Sequence, residues 1–192
     1  MEARTITVIP KKTVQTFPDD FVFFWGHTDR GNGLTKACLS QWFPCPFVAD
    51  GQYYNCAEQF MMAEKARLFC DEETRKKILQ ATEPDVIKHL GREVRNFDAK
   101  KWDAESGAVV VRGNIAKFSQ NEELKKLLLS TGNNYLAECA MNDRIWGIGL
   151  SMQDPDRFHI EKWRGQNLLG YTYEGITGPY IHRNTIVPSK GT

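Results

Sequence analysis

Glu58 and Lys65 are the residues whose types and spacing first suggest chemistry. On a helix turning 100° per residue, Glu58, Met61, Met62, Lys65 and Phe69 fall within about a third of the circumference, so two opposite charges share an apolar face. Two turns, about 10 Å along the axis, separate the acid from the base, too far for an i,i+4 ion pair. The pattern admits two readings. In one, Glu58 closes a capping box with Asn55 while Lys65 lays its stem over the methionines and keeps its amine in water. In the other, partial burial lowers the lysine pKa toward neutrality and sets an amine nucleophile beside a carboxylate.

Two further clusters carry polar groups next to glycines. Glu138 is followed by the run Asn142, Asp143, Arg144, Ile145, Trp146, Gly147, Ile148, Gly149, in which glycines let backbone approach a ligand and an indole face suits stacking on a base or ribose. A purely structural account is also available, with Trp146 and Ile148 in the core and Asp143 with Arg144 pairing at the surface. The run Trp163, Arg164, Gly165, Gln166, Asn167, Leu168, Leu169, Gly170 looks like the entrance to a helix whose free N–H groups hold a phosphate, or else like an Asn-capped structural turn. His27 and Trp102 fit core or edge positions as readily as site positions.

Positioning such residues requires elements, and the pattern supplies mostly helices. A helix is expected over residues 55–69 with Asn55 as its N-cap, a second from Asp71 through Gln80, and a third starting at Thr82-Glu83-Pro84-Asp85 with Gly91 as its stop. The segment 100–118 carries Trp102, Val109, Val110, Ile115 and Phe118 but is interrupted by Gly107 and Gly113, which weakens its helical signal. Asn121 caps a helix over 122–129, whereas NYLAECAM and RIWGIGL read equally as helix or buried strand. Residues 5–14 carry the β-favouring run TITVI and form an edge strand or hairpin arm; Phe21 to Trp25 is a continuous apolar run ended by Gly26-His27 and a polar loop over 28–33. The expected fold class is mainly α: a single helical domain with a short β or extended N-terminal arm. The arm is assigned to residues 1–20, the domain to 21–180 and a tail to 181–192, without repeats or linkers.

Composition narrows the function classes. A chain of 192 residues with 41% hydrophobic content builds one core. A net charge of +1, without dense Lys or Arg blocks, argues against tight nonspecific binding of nucleic acid. No apolar stretch reaches the roughly 20 residues that cross a bilayer, and the N-terminus lacks a secretory apolar centre, so an intracellular protein of the cytoplasm or nucleus is expected. Five cysteines form no CxxC pair and the four histidines have no ligand spacing, so free thiols, no metal and no cofactor are expected.

Taken in order, these segments resemble the NADAR family, also called YbiA-like proteins. Leu39-Ser40-Gln41 ahead of Pro46-Phe47 is similar to that family's Leu-Ser-Asn segment and Pro-Phe pair, and residues 51–65 to its Gly, Tyr, Glu and Lys helix. Lys117-Phe118, Thr131-Gly132, Glu138, Asp143 with Trp146-Gly147-Ile148-Gly149, and Trp163-Gly165-Asn167-Leu169-Gly170 continue the match, which runs from about Phe24 to Gly170. Gln41 departs from the usual Asn, and Gln59 stands where a His is common. The resemblance implies a YbiA-like helical fold and hydrolysis of N-glycosidic bonds. The substrate is then ADP-ribose attached to guanine, as a nucleotide or in nucleic acid, or a ribosylamino-pyrimidine phosphate of riboflavin synthesis; a module that binds ADP-ribose without cleaving it is the non-enzymatic alternative. On this footing Lys65, Glu58 and Asp143 are the catalytic candidates. Trp102 and Trp146 are the stacking candidates, Arg30, Lys117 and Asn167 the polar or phosphate contacts, and Gly26, His27, Ser40, Glu138 and Gly147 the remaining substrate contacts.

Overall fold

A computed structural model describes residues 17–28 and 34–181 of the chain. Residues 1–16 of the expected N-terminal arm, nearly all of the polar loop with Arg30, and the tail beyond residue 181 lie outside the described residues. Along the chain run β1 (Phe21–Phe24), β2 (Phe47–Ala49), β3 (Gln52–Tyr54), α1 (Ala57–Leu68), α2 (Glu72–Gln80), α3 (Pro84–Arg92), α4 (Ala99–Gln120), α5 (Glu122–Ser130), β4 (Tyr135–Glu138) and α6 (Leu168–Ile181), joined by turns and short 3-10 segments. The mainly helical architecture is the expected one.

Helix α1 is the axis of the domain. Its Ala57, Phe60, Met61, Met62, Ala63 and Ala66 are all buried, and α2, α3 and α4 pack around it. A helix buried on nearly every side belongs at the centre, and its alanines let neighbours come close. Gly91 does not stop α3 but lies inside it, because a Cβ there would stand 2.1 Å from the Met62 sulfur. Likewise Gly107 and Gly113 do not interrupt α4, which runs unbroken over 22 residues; Gly113 faces the Phe60 ring, where a side chain would collide. Tertiary packing there outweighs the helix penalty of about 1 kcal/mol per glycine.

NYLAECAM resolves as a strand. β4 pairs in parallel with β1, with Phe21 opposite Tyr135 and Phe24 opposite Glu138. The continuous apolar run of β1 follows from burial of both faces: Val22, Phe24 and Leu136 enter the main core, whereas Phe21, Phe23 and Ala137 join a second cluster with Ile148, Leu150 and Trp163. RIWGIGL contains no regular element. Glu138 therefore closes the last register position of a buried ladder, and the chain beyond it turns back over the site.

Candidate active site

The site begins at the first turn of α1. The N-cap is Cys56, not Asn55, and it makes no side-chain cap. Gln59 takes over the capping work: its Oε1 accepts the Asn55 backbone N–H at 2.8 Å, and its Nε2 donates to the carbonyls of Ile78 at 3.0 Å and Ala81 at 2.9 Å. The reciprocal cap expected of Glu58 is thus made one residue later, and the Glu58 carboxylate is released from it. The Glu58 backbone N–H donates to the Gln41 carbonyl at 2.9 Å, which ties the helix start to the segment around Ser40.

That segment is irregular and buried, so each of its carbonyls needs a partner. Lys117 supplies two of them, its Nζ donating to the Cys38 carbonyl at 2.6 Å and the Ser40 carbonyl at 2.8 Å. The Tyr173 hydroxyl donates to the Leu39 carbonyl, and the Gln41 amide donates to Asn114 Oδ1 at 3.0 Å. Ser40 is itself buried and its hydroxyl accepts the Trp42 N–H. This buried lattice sits beneath the first turn of α1 and holds it.

Two further acids bear on Glu58 at this turn. Glu58 is half-buried, and burial, followed by the negative charges of Glu138 and Asp143, pushes its carboxyl up to about 8 against the pull of Lys88 and Lys65. The positive end of α1 favours an anion there, but two neighbouring carboxylates and lost hydration outweigh it. Burial and then Asp143 raise the Glu138 carboxyl to about 7. Near neutral pH Glu58 therefore keeps a proton that it can give away. Asp143 is held differently: its Oδ1 accepts the backbone N–H groups of Ile145 at 2.9 Å and Trp146 at 2.8 Å, which fixes the carboxylate.

Lys65 stands two turns along the same helix and is half-buried. Its Nζ donates to the Gly91 carbonyl at 2.7 Å and lies 4.2 Å from the Phe97 ring centre and 5.8 Å from that of Trp102. Burial lowers its pKa while the charge of Glu58 works the other way. One face of α1 thus carries a carboxyl held protonated and, two turns on, an amine of lowered basicity, groups of the kinds that donate a proton and attack carbon.

The profile of the NADAR domain matches residues 23–176. The chain belongs to the NADAR family. It is 45% identical over 157 residues to an N-glycosidase, R617, of Acanthamoeba polyphaga mimivirus, covering 79% of this chain and 91% of that protein. Over 126 residues it is 32% identical to the N-glycosidase YbiA of Escherichia coli, covering 66% of this chain and 70% of the relative. A riboflavin biosynthesis protein of Vibrio vulnificus is 30% identical over 131 residues, 67% of this chain but only 33% of that protein. The NMR structure of Escherichia coli YbiA superposes with a TM-score of 0.66 at 24% identity, covering 96% of this chain and 100% of that one, and shows the same fold. Within the NADAR family the chain is an enzyme, a hydrolase of the N-glycosidase kind.

The NADAR-like residues separate into those that meet at the acids and those that hold the frame. The charges of Glu138, Asp143 and Lys65 bear on Glu58, and that of Asp143 also on Glu138. Gly147 packs tightly behind them, since a Cβ there would lie 2.9 Å from the Glu138 carbonyl. The Trp146 ring is partly buried against the main core, and Gly26 and His27 follow directly on β1 at its Glu138 end. Lys117 is buried and bonded to backbone. Asn167, also buried, donates to the Leu136 carbonyl at 2.8 Å and accepts the Glu138 N–H at 3.3 Å.

A phosphate-holding helix entrance does not form at α6. The N–H groups of Asn167, Leu168 and Leu169 already donate to the carbonyls of Gly147, Ile145 and Trp146, so the segment that carries Asp143 caps α6 instead of leaving it open. Sequence reasoning missed Phe97, Gly91 and Lys88. Phe97 is 45% exposed and follows an exposed loop, so no periodicity marks it. Gln59 acts as the cap because it stands four residues after Asn55, a signal present in the chain but assigned to Glu58.

Proposed function

We propose that this NADAR enzyme removes ADP-ribose from ADP-ribosylated guanine by hydrolysing the N-glycosidic bond. The observation that carries the reading is the pairing on α1 of Glu58, protonated near neutral pH by burial and by Glu138 and Asp143, with the half-buried amine of Lys65. Cleaving a C1–N bond needs a proton for the leaving nitrogen and a nucleophile for C1. Glu58 gives its proton to the base as the Lys65 lone pair bonds to C1 and the C1–N pair leaves with the base. The ribosylamine then opens, O4′ taking a proton, to an iminium on Lys65. Water adds at C1, its protons pass to the carboxylates and the departing lysine nitrogen, and the sugar leaves; the net consumption is one water. Asp143, fixed by two backbone N–H groups, keeps a second carboxylate facing the developing positive charge.

Trp25, 64% exposed, and Met141 and Ile145, 62% and 50% exposed, stand next to β1, β4 and the loop that holds Asp143, and such apolar surface beside the acids suits a flat base. Trp146, Gly26, His27 and Arg30 are further contacts around it in this reading. The described residues take their place in a catalytic domain over 21–180, between an arm and a tail, and an intracellular location is part of the same reading. A second substrate, a ribosylamino-pyrimidine phosphate, is favoured by the relative named for riboflavin biosynthesis. An ADP-ribose reader without turnover has no use for a protonated acid beside a lysine. A cysteine hydrolase finds no support either: burial raises the Cys56 thiol to about 11 and the Cys139 thiol to about 12, far from a reactive thiolate.

Incubating the protein with an ADP-ribosylated guanine oligonucleotide and, separately, with a ribosylamino-pyrimidine phosphate decides the substrate. Free ADP-ribose from the first and no ribose phosphate from the second is expected. Release only from the second would transfer the assignment, and binding without product from either would leave a reader.

A further inference from the structure

The surroundings of the Lys65 nitrogen contain more than a docking carbonyl. Phe97 lies between α3 and α4, 45% exposed, with its ring edge-on to Phe69 at 5.3 Å and the Lys65 ammonium 4.2 Å above its centre. Its loop is not loose. Arg95, two residues before, donates its backbone N–H to Asp71 Oδ2 at 2.9 Å and its guanidinium to Asp71 Oδ1, and Asp71 is the buried N-cap of α2. After Phe97, Asp98 caps α4 through the Lys101 N–H. An aromatic ring is thus held half in water on a loop pinned at both ends, with a lysine nitrogen on its face. Trp102, one turn into α4, brings a second ring to 5.8 Å from the same nitrogen.

We propose that Phe97 and Trp102 form an aromatic clamp that positions the Lys65 nitrogen and stabilises the cation it becomes when bonded to C1 of the sugar. This rests on the reading of Lys65 as nucleophile. Aromatic faces attract a cation and are indifferent to a neutral amine. The clamp therefore acts on the resting ammonium and on the protonated imine, both of which are cations, but not on the attacking amine. The Gly91 carbonyl complements it, because it accepts an N–H from ammonium, amine and protonated imine alike. Phe97 is a positioning residue in this scheme and Trp102 its partner.

The charged groups that bear on Lys65 are few. Glu58 on α1 raises its pKa, while Glu138 on β4, Asp143 in the following loop and exposed Lys88 on α3 act through Glu58. Lys101 on α4 donates to the Leu68 carbonyl at 3.3 Å and lies over Phe69, on the same flank. Removing the Phe97 ring leaves every one of these charges in place, so a change at Lys65 reports the ring.

The test uses Phe97→Leu and Phe97→Tyr in the full chain, with Lys65→Ala as reference, and two readouts. Titration of the Lys65 amine by NMR of isotope-labelled lysine does not depend on turnover: Phe97→Leu should lower its pKa and Phe97→Tyr should restore it. With ADP-ribosylated guanine oligonucleotide as probe, Phe97→Leu should lose roughly tenfold in kcat with little change in KM, the size of one partly desolvated cation–π contact, and its acidic limb should move to lower pH. An unmoved Lys65 titration overturns the clamp. So does a moved titration with unchanged kcat in an enzyme that Lys65→Ala inactivates. Full turnover in Lys65→Ala would instead remove the nucleophile reading, and with it the catalytic half of the clamp, while the titration still reports whether the ring holds the charge.

Discussion

Among the described residues, Lys65 and Lys117 have their pKa lowered by burial, and they stand in opposite settings. Lys117 is wholly enclosed, its pKa lowered to about 8, and both of its described hydrogen bonds go to carbonyls of the segment that carries Ser40. Lys65 is half-buried, spends one hydrogen bond on Gly91, and otherwise meets the aromatic faces of Phe97 and Trp102. Depressed basicity alone therefore does not identify a nucleophile. What distinguishes the two is whether the nitrogen is consumed by structure or left available to a reactant.

The largest effect expected from this contrast is at Lys65. Lys65→Ala should lower kcat on the ADP-ribosylated guanine probe by on the order of 10³-fold or more while lowering the thermal midpoint only modestly, since the half-buried residue loses one hydrogen bond and its contacts with two rings. Measuring turnover and melting on the same preparation would expose the contrary case, a stability loss with activity retained per folded molecule.

Glu58→Gln comes next, with a loss of about 10² to 10⁴ in kcat. It also carries a pH signature. Glu58 and Glu138 have folded pKa values near 8 and 7, above their ordinary 4.5, and Glu174 is raised to about 6. The folded state holds more protons than the unfolded one across that range, so stability is full below about pH 4.5 and is lost as pH rises toward 8. Denaturant midpoints measured from pH 5 to 8 should fall in the parent protein and fall less in Glu58→Gln. Activity should decline above about pH 8 as the proton donor ionises, and an unaltered basic limb in Glu58→Gln would assign that limb elsewhere.

Lys117→Met should reverse the pattern of Lys65→Ala. Losing the amine orphans the Cys38 and Ser40 carbonyls, at about 1–3 kcal/mol for each buried acceptor, partly offset by removing a buried charge. Its expected outcome is a lower melting temperature with KM nearly kept. The sign with pH is also opposite to the acids. Because Lys117 titrates near 8 when folded and 10.5 when unfolded, its own contribution to stability rises between those values, against the opposite drift of the buried Cys56 and Cys139 thiols above about 9. Lys117→Met should lack that rise.

The same contrast explains how much was legible in the chain. Helix α1 and its mixed-charge face could be read because helical periodicity places Glu58 and Lys65 together, and caps such as Asp71 mark their helices directly. The strand at Tyr135–Glu138 could not be separated from a helix, because its partner Phe21–Phe24 lies more than a hundred residues earlier and pairing is a tertiary fact. Gly91 and Gly113 misled as breakers for a related reason: the side chains they make room for, Met62 and Phe60, belong to another helix. Lys117 looked like a phosphate contact because a sequence does not say which carbonyls a fold will leave unpaired.

The central claim is that the Lys65 nitrogen bonds to the sugar. Reducing the enzyme with borohydride during turnover of ADP-ribosylated guanine, then mapping the peptide by mass spectrometry, reads that bond directly. A ribosyl adduct on the peptide containing Lys65, absent from Lys65→Ala and from protein without substrate, is the predicted result. No adduct together with full activity in Lys65→Ala would contradict the claim and leave water, activated by Glu58 or Asp143, as the attacking group.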